Sequence, residues 1–107
     1  MLSAFLRMKG FDVQGAYSAR DGLVVMERAR PAVLLLDLMM PEMDGIQFCQ
    51  QLRAHPDFHD LPIIIVSARN DVRSIAEAEA AGASAYLTKP VRFPELLAAL
   101  SNVLGEE

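Results

Sequence analysis

Short apolar runs alternate with segments of helical periodicity along this chain, and the alternation limits the fold more than any other feature. Residues 32–36 and 62–66 are continuous apolar runs, the pattern of strands that are buried on both faces. Segments with an apolar residue every three or four positions separate these runs. Strands that alternate with helices in this way predict an α/β fold, in which helices cover both faces of a parallel sheet.

The predicted elements follow one another as helix and strand in strict alternation. Strands are predicted at residues 11–17, 32–36, 62–66 and 83–88. Three residues with short polar side chains are predicted as helix N-caps: Ser18, Asp44 and Asn70. Gly10 and Gly82 are predicted to end helices, because glycine adopts the left-handed conformation without strain. Pro94 is typical of the first turn of a helix and predicts the start of the last one.

Composition excludes several classes of protein. The chain has 107 residues, of which 52% are hydrophobic and 22% charged, and this predicts one folded domain over residues 1–107. The net charge of −4 argues against a nucleic-acid partner, because binding to phosphates needs positive charge. The apolar runs are too short to cross a membrane, and no signal peptide is expected at the N-terminus. Cys49 is the single cysteine, so no internal disulfide is expected.

Three polar residues directly follow predicted strands. Asp37 follows the second strand, Ser67 the third and Lys89 the fourth. The carboxyl ends of parallel strands meet at one edge of an open α/β sheet, where binding sites form. A carboxylate at such a site can attack phosphorus, a lysine can neutralise phosphoryl oxygens, and a hydroxyl can donate a hydrogen bond to one of them. The three residue types predicted at this edge are therefore compatible with chemistry on a phosphoryl group.

The residues at these strand ends also carry a resemblance to a known family. The chain resembles receiver domains of two-component response regulators at Asp37-Leu-Met-Met-Pro41-Glu-Met-Asp-Gly45, Ser67-Ala68, Tyr86 and Lys89-Pro90. The resemblance extends from about residue 2 to residue 104. It implies a flavodoxin-like fold with three layers, α/β/α, and a parallel sheet in the strand order 2-1-3-4-5.

The resemblance implies a role for each of these residues. Asp37 matches the phosphoacceptor, which takes a phosphoryl group from a sensor histidine kinase or a phosphotransfer protein. Ser67 and Tyr86 match the switch residues, Lys89 matches the lysine that contacts the phosphate, and Pro90 follows a bond that is cis in the family. The implied function is phosphorelay signalling in the cytoplasm, in which phosphorylation changes a surface that binds a downstream effector protein. No enzymatic activity is expected beyond the domain's own phosphorylation and dephosphorylation.

The resemblance implies Mg²⁺ as a cofactor, but the matching metal ligands are incomplete. Asp37 and the backbone carbonyl of Met39 match ligands of the ion. Members of the family begin with a strand that ends in an acidic pair, which also holds Mg²⁺, whereas this sequence starts within the helix that follows that strand. The expected domain is therefore a receiver without its first strand and without part of its metal site.

Three arrangements would compensate for the expected loss of the first strand. In the first, residues 11–17 would shift into the vacant position. In the second, a second copy would exchange a strand and form a homodimer. In the third, the true translation start would lie upstream. Two functions also remain open: a switch that accepts a phosphoryl group, and a degenerate receiver that acts as an interaction module without phosphorylation. A phosphohydrolase with an aspartate nucleophile is rejected, because Met39 stands where its second aspartate is needed. Flavin binding rests on fold analogy alone.

Several of these residues also admit a purely structural interpretation. Ser67 would then cap the following helix, and Tyr86 would be a half-buried packing residue. Arg69, two residues after Ser67, either reaches the phosphoryl group or is solvated. Cys49 is expected to be a small core residue on a helix, since no base is evidently paired with it.

Overall fold

A computed structural model describes residues 2–16, 18–38 and 44–105, and these residues form five helices and three strands. The elements are α1 (Leu2–Met8), α2 (Ala19–Arg28), β1 (Leu34–Asp37), α3 (Gly45–Ala54), β2 (Ile63–Ser67), α4 (Val72–Ala80), β3 (Ala85–Thr88) and α5 (Phe93–Leu104). From α2 to α5, the predicted alternation of helix and strand is confirmed. None of the described helices has the length and apolar character needed to cross a membrane.

The strands form one parallel sheet in the order β1-β2-β3. Leu34 of β1 pairs with Ile63 of β2, and Ile64 of β2 pairs with Ala85 of β3. The central strand β2 is buried at all five positions, and at residues 63–66 its continuous apolar run predicted this burial. Because the strands are parallel, all of their carboxyl ends lie at the same edge of the sheet.

Helices cover both faces of the sheet, which confirms the three-layer prediction. The first core includes buried residues of β1, β2, α2, α3 and α4, among them Met26, Leu36, Phe48, Cys49, Leu52, Ile63, Ile65 and Ala78, and buried residues of the adjoining turns such as Phe58, Leu61 and Ala81. The second core consists of buried residues of α1, β2 and α5: Leu6, Ile64, Leu96, Ala99 and Leu100. Side chains alternate along a strand, so neighbouring isoleucines of β2 belong to different cores.

The strand predicted at residues 11–17 is not formed in the described part of the chain. Residues 11–16 have no strand pairing, and Tyr17 lies outside the described residues. The prediction was wrong because the alternation of apolar and polar residues in this segment reflects side-chain packing and not strand pairing. Phe11 and Val13 pack against the second core, and the Val13 carbonyl accepts a hydrogen bond from Arg7 at 3.2 Å. Alternation decides which side chains face a core, whereas a strand also needs a neighbour for its backbone hydrogen bonds.

The N-caps of three helices come from short polar side chains. Ser18 and Asp44 cap α2 and α3 as predicted, and each accepts a backbone N–H of the first turn. The cap of α4 is Asp71 and not Asn70, so this prediction was wrong by one residue. The Asp71 carboxylate accepts both the backbone N–H and the hydroxyl of Ser74, and its negative charge is favoured at a helix N-terminus.

Candidate functional site

The carboxyl ends of the strands bring three polar residues to one edge of the sheet. Asp37 ends β1, Ser67 ends β2, and Lys89 directly follows β3. The backbone N–H of Lys89 donates to the carbonyl of Ser67 at 2.8 Å, which extends the β2–β3 pairing by one residue. The three residues therefore lie together at the carboxyl edge of the sheet, as their positions after the predicted strands led us to expect.

Asp37 and Lys89 form an ion pair at this edge. The distance between Lys89 Nζ and Asp37 Oδ2 is 2.5 Å, and the two side chains are 46% and 40% exposed. An ion pair this accessible to water contributes little to folding. A carboxylate beside a fixed ammonium is, however, well suited to receive a group that carries negative charge. The bond between Lys89 and Pro90 is cis, which is the isomer that the family resemblance implied.

Ser67 is fully buried at the end of β2, next to the strand position of Asp37. Asp37 pairs with Val66, the residue that precedes Ser67. The Ser67 hydroxyl oxygen accepts the backbone N–H of Arg69 at 3.1 Å. Asp71 caps α4, so Ser67 does not serve as the cap of that helix. A hydroxyl that accepts one hydrogen bond keeps its own hydrogen for donation to another acceptor.

Tyr86 combines packing with a hydrogen bond near the site. Its ring is partly buried against the first core, and its phenol donates to the backbone carbonyl of Arg69 at 2.8 Å. The two polar groups of the Arg69 backbone are thus bound by Ser67 on one side and Tyr86 on the other. The sequence gives no sign of this bridging role of Arg69, because a backbone hydrogen bond requires no particular residue type.

A small cavity lies beside the site, between the N-terminal ends of α3 and α4. Its volume is about 80 Å³, and its lining residues are Leu38, Asp44, Ile46, Arg69, Ser74 and Glu77. At roughly 30 Å³ for each water molecule, this space suits a few waters. Its size does not suit a coenzyme, whose sites are typically about 300 Å³ or larger.

The described residues do not provide a complete set of ligands for Mg²⁺. Within residues 2–16, 18–38 and 44–105, no three His, Cys, Asp or Glu side chains are grouped so that they could hold a metal ion. Met39, whose carbonyl was an expected ligand, lies outside the described residues. Mg²⁺ prefers a near-octahedral shell of oxygen atoms, and Asp37, paired with Lys89, supplies only part of such a shell. We therefore assign no chemical step to this ion.

The sequence matches a family of signalling domains over most of its length. The model of the response regulator receiver domain matches residues 1–101. The response regulator MprA of Mycobacterium leprae is 40% identical over 99 residues, which are 92% of this chain and 42% of that protein. The chain thus spans less than half the length of this curated relative.

The fold is also similar to solved structures. The chemotaxis protein CheY4 of Vibrio cholerae is 31% identical with a TM-score of 0.90, and the match covers 97% of this chain and 87% of that one. A receiver domain of a sensor histidine kinase from Pseudomonas aeruginosa has a magnesium ion coordinated in its active-site cleft. It is 28% identical with a TM-score of 0.87, and the match covers 98% of this chain and 86% of that one. Both matches include nearly all of the elements described above.

Proposed function

Because this chain belongs to the family of response regulator receiver domains, we propose that it is a signalling switch in which Asp37 accepts a phosphoryl group. The proposed donor is a phosphohistidine on a sensor histidine kinase or a phosphotransfer protein. The contact between Asp37 and Lys89 carries the proposal, since it joins a nucleophile to a fixed positive charge at an accessible edge of the sheet.

In the proposed step, a carboxylate oxygen of Asp37 attacks the phosphorus atom in line with the nitrogen of the donor imidazole. An O–P bond forms and gives an acyl phosphate. The P–N bond breaks, its electron pair stays on the imidazole nitrogen, and that nitrogen takes a proton from water. Asp37 thus gains the whole phosphoryl group, and no oxidation or reduction occurs.

Lys89 and Ser67 stabilise the transferred group in this proposal. The Lys89 ammonium, which pairs with Asp37 before transfer, then neutralises a phosphoryl oxygen. The Ser67 hydroxyl, one strand away, donates a hydrogen bond to another phosphoryl oxygen. Both contacts act on charge that the carboxylate does not carry before the reaction, so they favour the phosphorylated state of the site.

We also propose that residues 1–107 form one receiver domain and that its output is a change of the surface around Tyr86. A downstream effector protein would recognise that surface. Receiver domains are not enzymes in the usual sense, and the reactions proposed here are limited to phosphorylation and dephosphorylation of the domain itself. The site thus serves to store a signal and not to turn over a substrate.

The test is the intact mass of the folded chain after incubation with acetyl phosphate, with Mg²⁺ in one sample and a chelator in another. We expect a single phosphoryl adduct that is absent from Asp37→Asn. Asp12→Asn is the matched control, since Asp12 is an exposed aspartate outside the site. The control should accept the phosphoryl group as the unaltered chain does.

Two outcomes would contradict the proposal. An adduct that persists in Asp37→Asn would place the reactive group elsewhere. A folded chain without any adduct in either sample would favour the alternative function, a degenerate receiver that binds its partners without phosphorylation. Circular dichroism of every variant establishes that a missing adduct does not result from unfolding.

A further inference from the structure

A second cavity lies between the C-terminal end of α2 and the turn that follows α3. Its volume is about 330 Å³, and its lining residues are Met26, Glu27, Arg30, Asp57 and Phe58. Residues 29–33 lead from α2 into β1, and residues 55–62 lead from α3 into β2, so this cavity lies at the amino edge of the sheet. The candidate phosphorylation site lies at the carboxyl edge, and the proposed function therefore makes no use of this cavity.

Two buried side chains give the cavity an apolar floor. Met26 of α2 is 4% exposed, Phe58 is 2% exposed, and both belong to the first core. The Phe58 ring also contacts the ring of His55, with 4.7 Å between the two centroids. An apolar surface of this kind suits the hydrocarbon part of a ligand, and the flexible thioether of methionine adapts to different shapes.

Hydrogen bonds from two arginines hold the turn of residues 55–60, which forms one wall of the cavity. Arg30 of α2 donates from Nε to the carbonyl of Asp57 at 3.2 Å. Arg53 of α3 donates to four backbone carbonyls, those of Phe58, His59, Leu61 and Gly82. The guanidinium suits such a set of acceptors because its N–H groups point in fixed directions in one plane. The cavity is therefore formed in advance, and a ligand does not have to order this turn.

The charged side chains around the cavity leave an excess of negative charge. Arg30 pairs with Asp60, with 2.8 Å between Nη2 and Oδ1, so its positive charge is already matched. Glu27 and Asp57 are both exposed, and neither carboxylate has an ion pair within residues 2–16, 18–38 and 44–105. Two unmatched carboxylates beside an apolar floor favour a ligand that joins a positive charge to a hydrocarbon chain.

We propose that this cavity binds a lysine side chain of a partner protein. The methylene groups of the lysine lie on Met26 and Phe58, and its ammonium lies between the carboxylates of Glu27 and Asp57. At roughly 30 Å³ for each water molecule, the cavity holds about ten waters, which is enough space for a side chain of this length. A metal ion fits less well, because these carboxylates are not grouped with a third metal-binding side chain among the described residues.

A lysine bound in this cavity leaves the phosphorylation site uncovered. The cavity and the ion pair of Asp37 and Lys89 lie at opposite edges of the sheet. A partner that binds through this lysine can therefore remain attached before and after phosphorylation. The cavity thus serves to keep a partner on the domain, and this role does not depend on the proposed function.

The test follows the amide NMR signals of the folded chain while N-acetyl-lysine N-methylamide is added. We expect shifts at residues 26–30 and 55–60, with a dissociation constant on the order of 1 mM for so small a ligand. The norleucine analogue keeps the four-carbon chain without the ammonium and should bind about tenfold more weakly. Glu27→Gln should weaken lysine binding about threefold, the effect of one exposed charge pair. Glu79→Gln makes the same charge change at an exposed position of α4 and should bind lysine normally.

Three results would overturn the lysine site. Unchanged signals at residues 26–30 and 55–60 would mean that the cavity does not bind the ligand. Equal binding of the norleucine analogue would mean that the carboxylates do not select a cation. Equal weakening in Glu79→Gln would mean that the net charge of the chain, and not the cavity, attracts the lysine. Phosphorylation is measured separately by mass, so a missing phosphoryl adduct counts against the proposed function and leaves the result of the lysine titration intact.

Discussion

Gly45 lies so close to Leu38 that a β-carbon on the glycine would be 2.7 Å from the Leu38 Cα. The backbone N–H of Gly45 also donates to the Leu38 carbonyl at 3.3 Å. The first turn of α3 is thus in direct backbone contact with the residue that follows Asp37. Sterics therefore explain why a glycine stands at this position of the motif. Without a side chain, Gly45 lets α3 pack directly against the segment that carries Asp37, the candidate phosphoacceptor.

We predict that Gly45→Ala destabilises the domain by about 2 kcal/mol, since the added methyl group meets backbone atoms that cannot move aside easily. Urea unfolding measures this change. Gly22→Ala is the matched control, because its methyl group would meet only Ala16 Cβ at an ordinary 3.7 Å. Inside α2, that change should stabilise by roughly 0.5–1 kcal/mol. Equal effects of the two substitutions would contradict the steric explanation.

Lys89→Gln should separate the chemistry of the site from its stability. The lysine pairs with Asp37 while 46% exposed, so its loss should change the free energy of unfolding by less than about 1 kcal/mol. Phosphorylation by acetyl phosphate should slow by about a hundredfold, because a positive group aimed at the developing charge is lost. Lys9→Gln, at an exposed lysine on the turn after α1, should retain the normal rate. An unchanged rate in Lys89→Gln would remove Lys89 from the proposed mechanism.

Arg53→Lys should cost about 2 kcal/mol of stability, since an ammonium cannot reproduce a planar set of hydrogen bonds to several carbonyls. Chemical denaturation gives the value. Arg73→Lys provides the comparison, because Arg73 is 88% exposed and pairs with Glu77 on the surface of α4. Its effect should stay within about 0.5 kcal/mol. A similar small effect at position 53 would show that the carbonyl contacts are dispensable.

Acid should weaken the cap of α4. Hydrogen bonds from the backbone N–H and then the hydroxyl of Ser74 lower the pKa of Asp71 below its ordinary value of 3.8. A carboxyl group with a lowered folded-state pKa stabilises the fold above its unfolded-state pKa, and this contribution is lost as the pH falls through the folded-state pKa. The stability difference between the chain and Asp71→Asn should therefore shrink below pH 3.8. A stability difference that stays constant as the pH falls below 3.8 would contradict this contribution of the cap.

Cys49 should be unreactive in the folded chain. Burial raises the pKa of its thiol above the ordinary 9.0, although the nearby positive charge of Arg53 opposes the shift. Since the thiolate is the reactive form, labelling by a thiol reagent should be slow in buffer and should rise along the urea unfolding curve. Rapid labelling of the folded chain would mean that α3 separates readily from the turn after α4.

The sequence predicted which polar residues meet at the carboxyl edge of the sheet, because strand ends are visible in it. Asp37 and Lys89 are 52 residues apart, yet each stands directly after a predicted strand, and a parallel sheet must bring such positions to one edge. The complete burial of β2 was equally predictable, since an uninterrupted apolar run has no face for water.

Hydrogen bonds to backbone groups could not be predicted from the sequence in this way. Arg53 binds carbonyl groups, which every residue carries, so nothing in the sequence distinguishes it from an exposed arginine. The same applies to the backbone bridge at Arg69. The strand prediction for residues 11–16 was wrong for a related reason. The alternation of apolar and polar residues specifies which side chains are buried, but it does not specify which groups the backbone hydrogen-bonds to.

The parallel sheet also keeps mutations that affect stability at its amino edge apart from mutations that affect the site at its carboxyl edge. Arg53 acts at the amino ends of β2 and β3, whereas Asp37, Ser67 and Lys89 lie at the carboxyl ends. A five-residue strand places these edges on the order of 15 Å apart, a distance at which effects on stability usually add. Changes that strengthen the amino edge can therefore offset losses caused by new chemistry at the other edge. A sheet built in this way lets signalling properties diverge while the same scaffold is kept.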